Sequence, residues 1–449
     1  MQHIADAAAA LAAGRISAAS LVDAALDRIA DPAGEGRRAF TAVHADAARA
    51  QARAMDALRH VGRTPSPWAG IPITVKDLFD EHGHPTPAGS AVLRDAPAAA
   101  EDAPVVARLR RQGFVVIGRT NMVEFAFSGL GVNPHYGTPL SPWDRKTGRL
   151  PGGSSSGAAV AAADHMGFGG LGTDTGGSCR VPAALCGVVG YKPTARRVPI
   201  AGVLPLSPSL DSVGPLARSV ACCALLDAVI SGEEQPRPLP HRGVAGLRLG
   251  LPRGTFLTED QDPAVAAAFQ RALSRLSAAG ARIELFDIPE LSELPLVNAT
   301  GGFAASEAWA WHRGLVAGKG AGYDPRILAR IRRGERMSAA DYIDLVAARA
   351  RLIAAVAKRS SAFDAMVTPT CPIVPPALAE VAAEADYNRI NLLLLRNTAV
   401  GNFLDRCSIS LPIHRPGEAP VGLMLTGEAM ADAALFTTAQ AVEAALAAH

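Results

Sequence analysis

Short apolar runs of strand length recur along the whole chain, and stretches with helical spacing of apolar residues separate them. "GIPITVKD" at 70–77 and "FVVIG" at 114–118 open the series, and "LRLGLP" (247–252), "ARIELFDI" (281–288), "AMVTP" (365–369), "SISLP" (408–412) and "VGLMLTG" (421–427) continue it. Between them, Ser17 is a candidate N-cap for a helix whose apolar face is Leu21, Val22, Ala25, Leu26 and Ile29. Further helices are expected over 41–60, around 104–112, over 263–279, through most of 300–360 and over 430–446. Strands and helices that alternate in this way predict an α/β fold in which helices cover a largely buried sheet. The Pro-rich stretch "EEQPRPLPHRG" at 233–243 is read as a surface crossing inside one large domain, because strand patterns on both sides of it look buried.

Composition sets limits on partners. About half of the 449 residues are apolar, enough for a large core. The 44 basic and 42 acidic residues nearly cancel and form no block, so neither nucleic acid nor an anionic membrane is an expected partner. No apolar run reaches the length of a membrane span. The N-terminus has no basic segment and carries Asp6, which argues against a signal peptide. The six cysteines make no C-x-x-C pair, and reduced thiols in a cytoplasmic protein are the expectation.

Three stretches offer chemistry. "GSSSG" at 153–157 matches a nucleophile-elbow pattern around Ser155, but the polar, Pro-broken "DRKTGRLPG" before it is not the buried strand such an elbow needs. "HGH" at 82–84 places two histidines two residues apart without an evident third ligand, so a surface loop is the better account and no metal is expected. "TDTGGSCRVP" at 173–182 is the most suggestive. Its two glycines let backbone N–H groups crowd together ahead of Ser178, and a helix starting just after would add positive potential. Locally, a plain Gly-rich turn and an oxyanion-binding turn fit equally well. Cys179 is a weaker nucleophile candidate, with no histidine within thirteen residues on either side.

Taken in order, "PITVKD", "PGGSSSG", "GTDTGGSCRVPAALCGVVGYKPT" and "SLDSVGPLARSV" resemble the amidase signature family of serine hydrolases. Ser154 and Ser178 stand 24 residues apart, as the two catalytic serines of that family do. The resemblance is strong over about 68–220 and weaker toward both ends. It implies the amidase signature fold, a large mixed central β-sheet covered by helices on both faces. Helices over about 1–65 would precede the signature core, and about 245–449 would complete the sheet and substrate pocket within a single domain 1–449. By motif, Ser178 would be the nucleophile, Ser154 the bridging residue after a cis peptide bond, and Lys76 the base. The backbone N–H groups of Thr175, Gly176, Gly177 and Ser178 would form the oxyanion hole, with Ser155 and Asp174 in support. For Arg180 a structural ion pair ranks ahead of a substrate contact, and Tyr136 is a second candidate for the pocket. Cys179 stands where an aliphatic residue is common, and His165 where glycine is.

The chemistry is coherent. A serine hydroxyl needs a base, and burial among Ile73, Val75 and Leu78 would lower the pKa of Lys76 until it could serve as one. The expected activity is hydrolysis of a small-molecule carboxylic amide to acid and ammonia or amine, without a cofactor. Homodimers are common in such enzymes. One alternative is the glutaminase subunit of a tRNA-dependent amidotransferase. Val181 argues against it, since those subunits usually carry Gln there. The other is a catalytically inactive scaffold, which the intact Lys76, Ser154 and Ser178 oppose.

Overall fold

The structure is a computed structural model and describes residues 3–447. Its strands are β1 (Phe40–Val43), β2 (Pro72–Lys76), β3 (Val115–Thr120), β4 (Gly169–Asp174), β5 (Val189–Lys192), β6 (Ser212–Ala217), β7 (Arg248–Pro252), β8 (Arg282–Phe286), β9 (Ala365–Pro369), β10 (Ser408–Pro412) and β11 (Gly422–Thr426). All eleven join one sheet in the order β1-β3-β2-β4-β6-β5-β10-β11-β9-β7-β8. Pairing is parallel across β3-β2-β4 and across β9-β7-β8, and antiparallel in between and at β1. The sheet is therefore mixed, and strands from both sides of 233–243 lie in it side by side.

Successive residues of a strand point to opposite faces, so a strand buried at every position is covered on both. That holds for β2 to β6, β9 and β11. In β2, Ile73 and Val75 face one way and are essentially inaccessible to solvent. Each contributes about 1.5–3 kcal/mol by leaving water. Thr74 and Lys76 face the other way, which draws the lysine into the interior along with the strand. Both edges are more open, with Val43 of β1 and Leu285 of β8 exposed.

The sequence-predicted strands from 70–77, 114–118, 247–252, 281–288, 365–369, 408–412 and 421–427 all form, as do helices Pro263–Ala278 and Asp432–Ala447. The helix expected over 41–60 is shorter at its start: 40–43 pairs with β3 as an edge strand, and the helix runs Ala45–His60. The sequence reading assigns no strand to 169–174, 189–192 or 212–217, and three central strands form there. "GGLGTD" has Thr173 as its one β-branched residue and no aromatic. It pairs all the same because its glycines admit neighbours: a Cβ on Gly172 would lie 2.7 Å from Ser155 Oγ. β6 carries Pro215 mid-strand, which ordinarily argues against a central strand. Its pairing with β5 stops at Gly190↔Leu216, one residue short of the proline.

His165 has φ 58°, the left-handed conformation that favours glycine. It follows the C-cap of helix Ser156–Ala163, where Met166 N–H donates to Ala161 O at 2.9 Å and closes a Schellman turn. This explains why glycine is common at that position in the resembling family. His165→Gly is expected to raise stability by about 1 kcal/mol, read as a higher urea midpoint. An unchanged or lower midpoint would show that the imidazole makes contacts worth more than the backbone penalty.

Candidate active site

Lys76 ends β2, and Thr173 lies near the end of the adjacent parallel strand β4. The carboxyl ends of neighbouring parallel strands thus meet, the usual place for a site in an α/β sheet. Ser154 and Ser155 arrive from the loop that enters helix Ser156–Ala163, and the Gly153–Ser154 peptide bond is cis. Ser178 sits on the turn from β4 into helix Arg180–Cys186.

The Lys76 ammonium reaches two hydroxyls, Ser154 Oγ and Thr173 Oγ1, each at 2.8 Å. Lys76 is 0% exposed. Burial lowers its pKa to about 8, against smaller opposing effects of Cys179, Asp174 and Asp211. Ser178 is joined to the same assembly through its carbonyl, which accepts from Ser155 N–H at 3.2 Å, and Ser155 Oγ donates to Thr173 O at 3.3 Å. Residues 76, 154, 155 and 178, far apart in sequence, are therefore brought together, with Thr173 as a partner the motifs did not single out. Cys179 is fully buried, and burial pushes its thiol pKa far up, so it is held as a neutral thiol.

Asp174 organises the turn. Its carboxylate accepts from Gly177 N–H at 2.8 Å and Cys179 N–H at 3.0 Å, and forms an ion pair with Arg180 at 2.9 Å. Burial alone would raise its pKa, but Arg180 outweighs that and holds the group well below the usual carboxylate range. Asn402 donates both to the carboxylate at 2.9 Å and to the Asp174 carbonyl at 3.0 Å. Gly177 has φ 137°, and a Cβ there would fall 2.1 Å from Thr398 Oγ1. Thr398 in turn donates to Gly176 O at 2.7 Å. With that carbonyl tied back, the N–H groups of Thr175, Gly176 and Ser178 have no acceptor among the described residues. Of the expected oxyanion set, the Gly177 N–H already donates to Asp174. Thr175 Oγ1 donates to Asp211 at 2.5 Å, and burial raises that carboxyl's pKa to about 6.

The substrate contact considered for Arg180 finds no support. The residue is fully buried, and its nitrogens are taken by Asp174, Asn402 Oδ1 and Met424 Sδ. Tyr136 is half-buried under the Arg94 guanidinium, 5.5 Å from its ring centroid. Asn402, Thr398 and Lys192 escaped the sequence reading. Lys192 is fully buried, and its pKa is lowered to about 8 by burial and by Arg180. It lies in "GYKPT", inside the quoted motif, which was its one available signal; Asn402 and Thr398 had none.

Comparison with known proteins agrees with this geometry. A family model described as Amidase matches residues 20–436. A 2-amino-5-chloromuconic acid deaminase from Comamonas testosteroni is 41% identical, over 88% of this chain and 86% of its own length. The A-type component of the glutamyl-tRNA(Gln) amidotransferase of Roseiflexus sp. (strain RS-1) is 34% identical over 98% of this chain and 95% of its own. A crystal structure of an amidase superposes with a TM-score of 0.89 at 32% identity, covering 99% of both chains. The chain belongs to the amidase family, in its amidase signature form, and is an amidohydrolase that acts on carbon–nitrogen amide bonds.

Proposed function

We propose that the protein hydrolyses a small carboxylic amide through an acyl-enzyme on Ser178, with Lys76 as the base acting through Ser154. The observation that carries this is the 2.8 Å contact between Ser154 Oγ and a fully buried lysine whose pKa has fallen to about 8. An ammonium has no lone pair, and burial supplies a neutral fraction of about one in ten at pH 7. The neutral amine takes the Ser154 proton as Ser154 takes that of Ser178, and Ser178 Oγ bonds to the amide carbon. The resulting oxyanion is met by the N–H groups of Thr175, Gly176 and Ser178. Collapse breaks the C–N bond, and the proton returns along the same path to the departing nitrogen. Water then repeats the sequence and frees the acid. Asp174, Arg180 and Asn402 hold the turn and touch no reacting atom.

The 34% identical relative favours a second reading, release of ammonia from glutamine for a partner protein. Glutamine hydrolysis that rises on adding such a partner, with amidated tRNA as product, selects it; turnover of free amides by the chain alone selects the first. The deaminase relative is named for a substrate that is itself a carboxylic acid, and it acts at a C–N bond.

Ser178→Ala and Lys76→Ala are expected to lower kcat/KM by more than about 10⁴-fold, and Ser154→Ala by about 10²–10³-fold. Ammonia release measures this, and labelling of wild type but not Ser178→Ala by a fluorophosphonate separates an enzyme from an inert scaffold. Full activity in Lys76→Ala ends the relay. In wild type, kcat/KM should climb tenfold per pH unit below pH 8 and level off above it; a profile flat from pH 6 to 9 removes Lys76 as the base.

The same burial has a stability consequence. A lysine with a lowered native pKa penalises the folded state at pH values below 8, and the penalty fades as pH rises toward 10.5. Lys76→Met removes the charge at similar length. Its stability relative to wild type should be higher at pH 7 than at pH 10.5, by up to about 3 kcal/mol, in paired urea titrations. No difference between the two pH values would mean that the amine keeps its ordinary pKa.

A further inference from the structure

The three N–H groups of the catalytic turn that lack an acceptor among the described residues are not held equally. In a planar trans peptide the N–H points opposite the carbonyl, so whatever grips that carbonyl aims the N–H. For Thr175 N–H the carbonyl is Asp174 O, which accepts from Ser212 Oγ at 2.9 Å and Asn402 Nδ2 at 3.0 Å. For Ser178 N–H it is Gly177 O, which accepts from Val181 N–H at 2.7 Å. For Gly176 N–H it is Thr175 O, which has no donor among the described residues.

The 175–176 peptide hangs instead between two held points. On one side is Gly176 O, which accepts from Thr398 Oγ1 at 2.7 Å. On the other is the Thr175 side chain, whose hydroxyl donates to Asp211 Oδ1 at 2.5 Å. Thr175 and Asp211 are both buried. Threonine is stiff about its Cα–Cβ bond, so a fixed hydroxyl fixes the Cα frame from which the peptide departs.

Asp211 is itself held firmly. It directly precedes β6, whose first residue, Ser212, is paired with Asp174. Adjacent residues of one segment therefore grip adjacent residues of the turn: Ser212 the Asp174 carbonyl, Asp211 the Thr175 hydroxyl. Asp211 Oδ2 accepts from Leu206 N–H and Ser207 N–H, each at 3.0 Å. Closing the 206–211 loop thus uses Oδ2 alone, and Oδ1 is given to the turn. Glu307, on helix Gly302–Lys319, secures the same loop by accepting from Ser207 Oγ at 2.6 Å and Ser209 N–H at 3.0 Å. Tyr342 Oη donates to the other Glu307 oxygen at 2.7 Å.

We propose that Asp211 is a positioning residue for amide hydrolysis: by holding the Thr175 hydroxyl it keeps the Gly176 N–H aimed at the oxyanion that forms when Ser178 adds to the amide carbon. This rests on the Ser178 reading for where that oxygen lies. Asp211 touches no reacting atom. Its effect belongs to the transition state, because the carbonyl oxygen gains its charge only as the bond to Ser178 forms.

The test removes the hydroxyl and keeps the shape. Burial lowers the Lys76 pKa and the Asp211 charge opposes that, so all variants are compared at about pH 9.5, where Lys76 is deprotonated. In Thr175→Val, kcat for an amide that the wild type hydrolyses should fall by about tenfold or more, with KM within about twofold. Thr175→Ser, which keeps the hydroxyl, should recover most of the loss. The rate at which a fluorophosphonate labels Ser178 needs no substrate and should fall alike, since its phosphoryl oxygen takes the oxyanion position. In an Asp211→Ala background, Thr175→Val should slow labelling by less than about twofold further, because the link is already broken. If Asp211→Ala does not fold, the two Thr175 variants decide alone. A lower melting temperature in Thr175→Val with an unchanged labelling rate overturns the proposal and leaves the Ser178 mechanism intact, as does a loss that simply multiplies in the double variant. A wild type that neither labels nor hydrolyses any amide ends the Ser178 mechanism and, with no oxyanion to form, this proposal too.

Discussion

A single buried ion pair holds the active-site turn in shape. Asp174 ends β4, and its carboxylate gathers two backbone N–H groups of the turn, the guanidinium at the start of the next helix, and an asparagine from residue 402. Two charges taken out of water cost several kcal/mol each, which geometry and further hydrogen bonds must offset. Here Asp174 is saturated by donors, and Arg180 has acceptors on both sides. Removing one partner would leave the other charge stranded. The arrangement consumes the Gly177 N–H and, with Thr398 on the Gly176 carbonyl, leaves three neighbouring N–H groups without an acceptor among the described residues.

The site then contains buried cations of two kinds. Arg180 is neutralised and serves architecture. Lys76 has no carboxylate in contact among the described residues and pays for burial with its basicity, dropping to about 8. It is held by two hydroxyls, which can bond to either the ammonium or the neutral amine, so the proton can leave without the contacts breaking. A carboxylate partner would have raised the pKa again and disabled the base of the proposed mechanism. Under that proposal, catalytic use and structural stability pull in opposite directions at this position.

Much of the sheet was legible because seven of its strands are short apolar runs bounded by turn residues, and period and composition agree there. Four strands were missed: the edge strand β1, whose residues the helix pattern over 41–60 claimed, and β4, β5 and β6 in the middle of the sheet. β4 must stay small to let Ser155 approach, and β6 carries a proline just beyond the point where its pairing with β5 ends. Their local preferences conflict with their state, and tertiary pairing overrides them. His165 is the mirror case: the family resemblance marked it as unusual, and its left-handed backbone supplies the reason.

Residue order alone determined the α/β class and, through four short motifs with the residue types and spacings of a known family, pointed to Lys76, Ser154, Ser155, Asp174 and Ser178 as the candidate site. Contacts between distant segments decided the rest. That Asn402 and Met424, 222 and 244 residues away, close Arg180 off, and that Thr398 ties back the Gly176 carbonyl from 222 residues away, are facts about distant segments. No local pattern encodes such meetings, since hydrogen bonding and burial are settled only when the sheet brings those segments together.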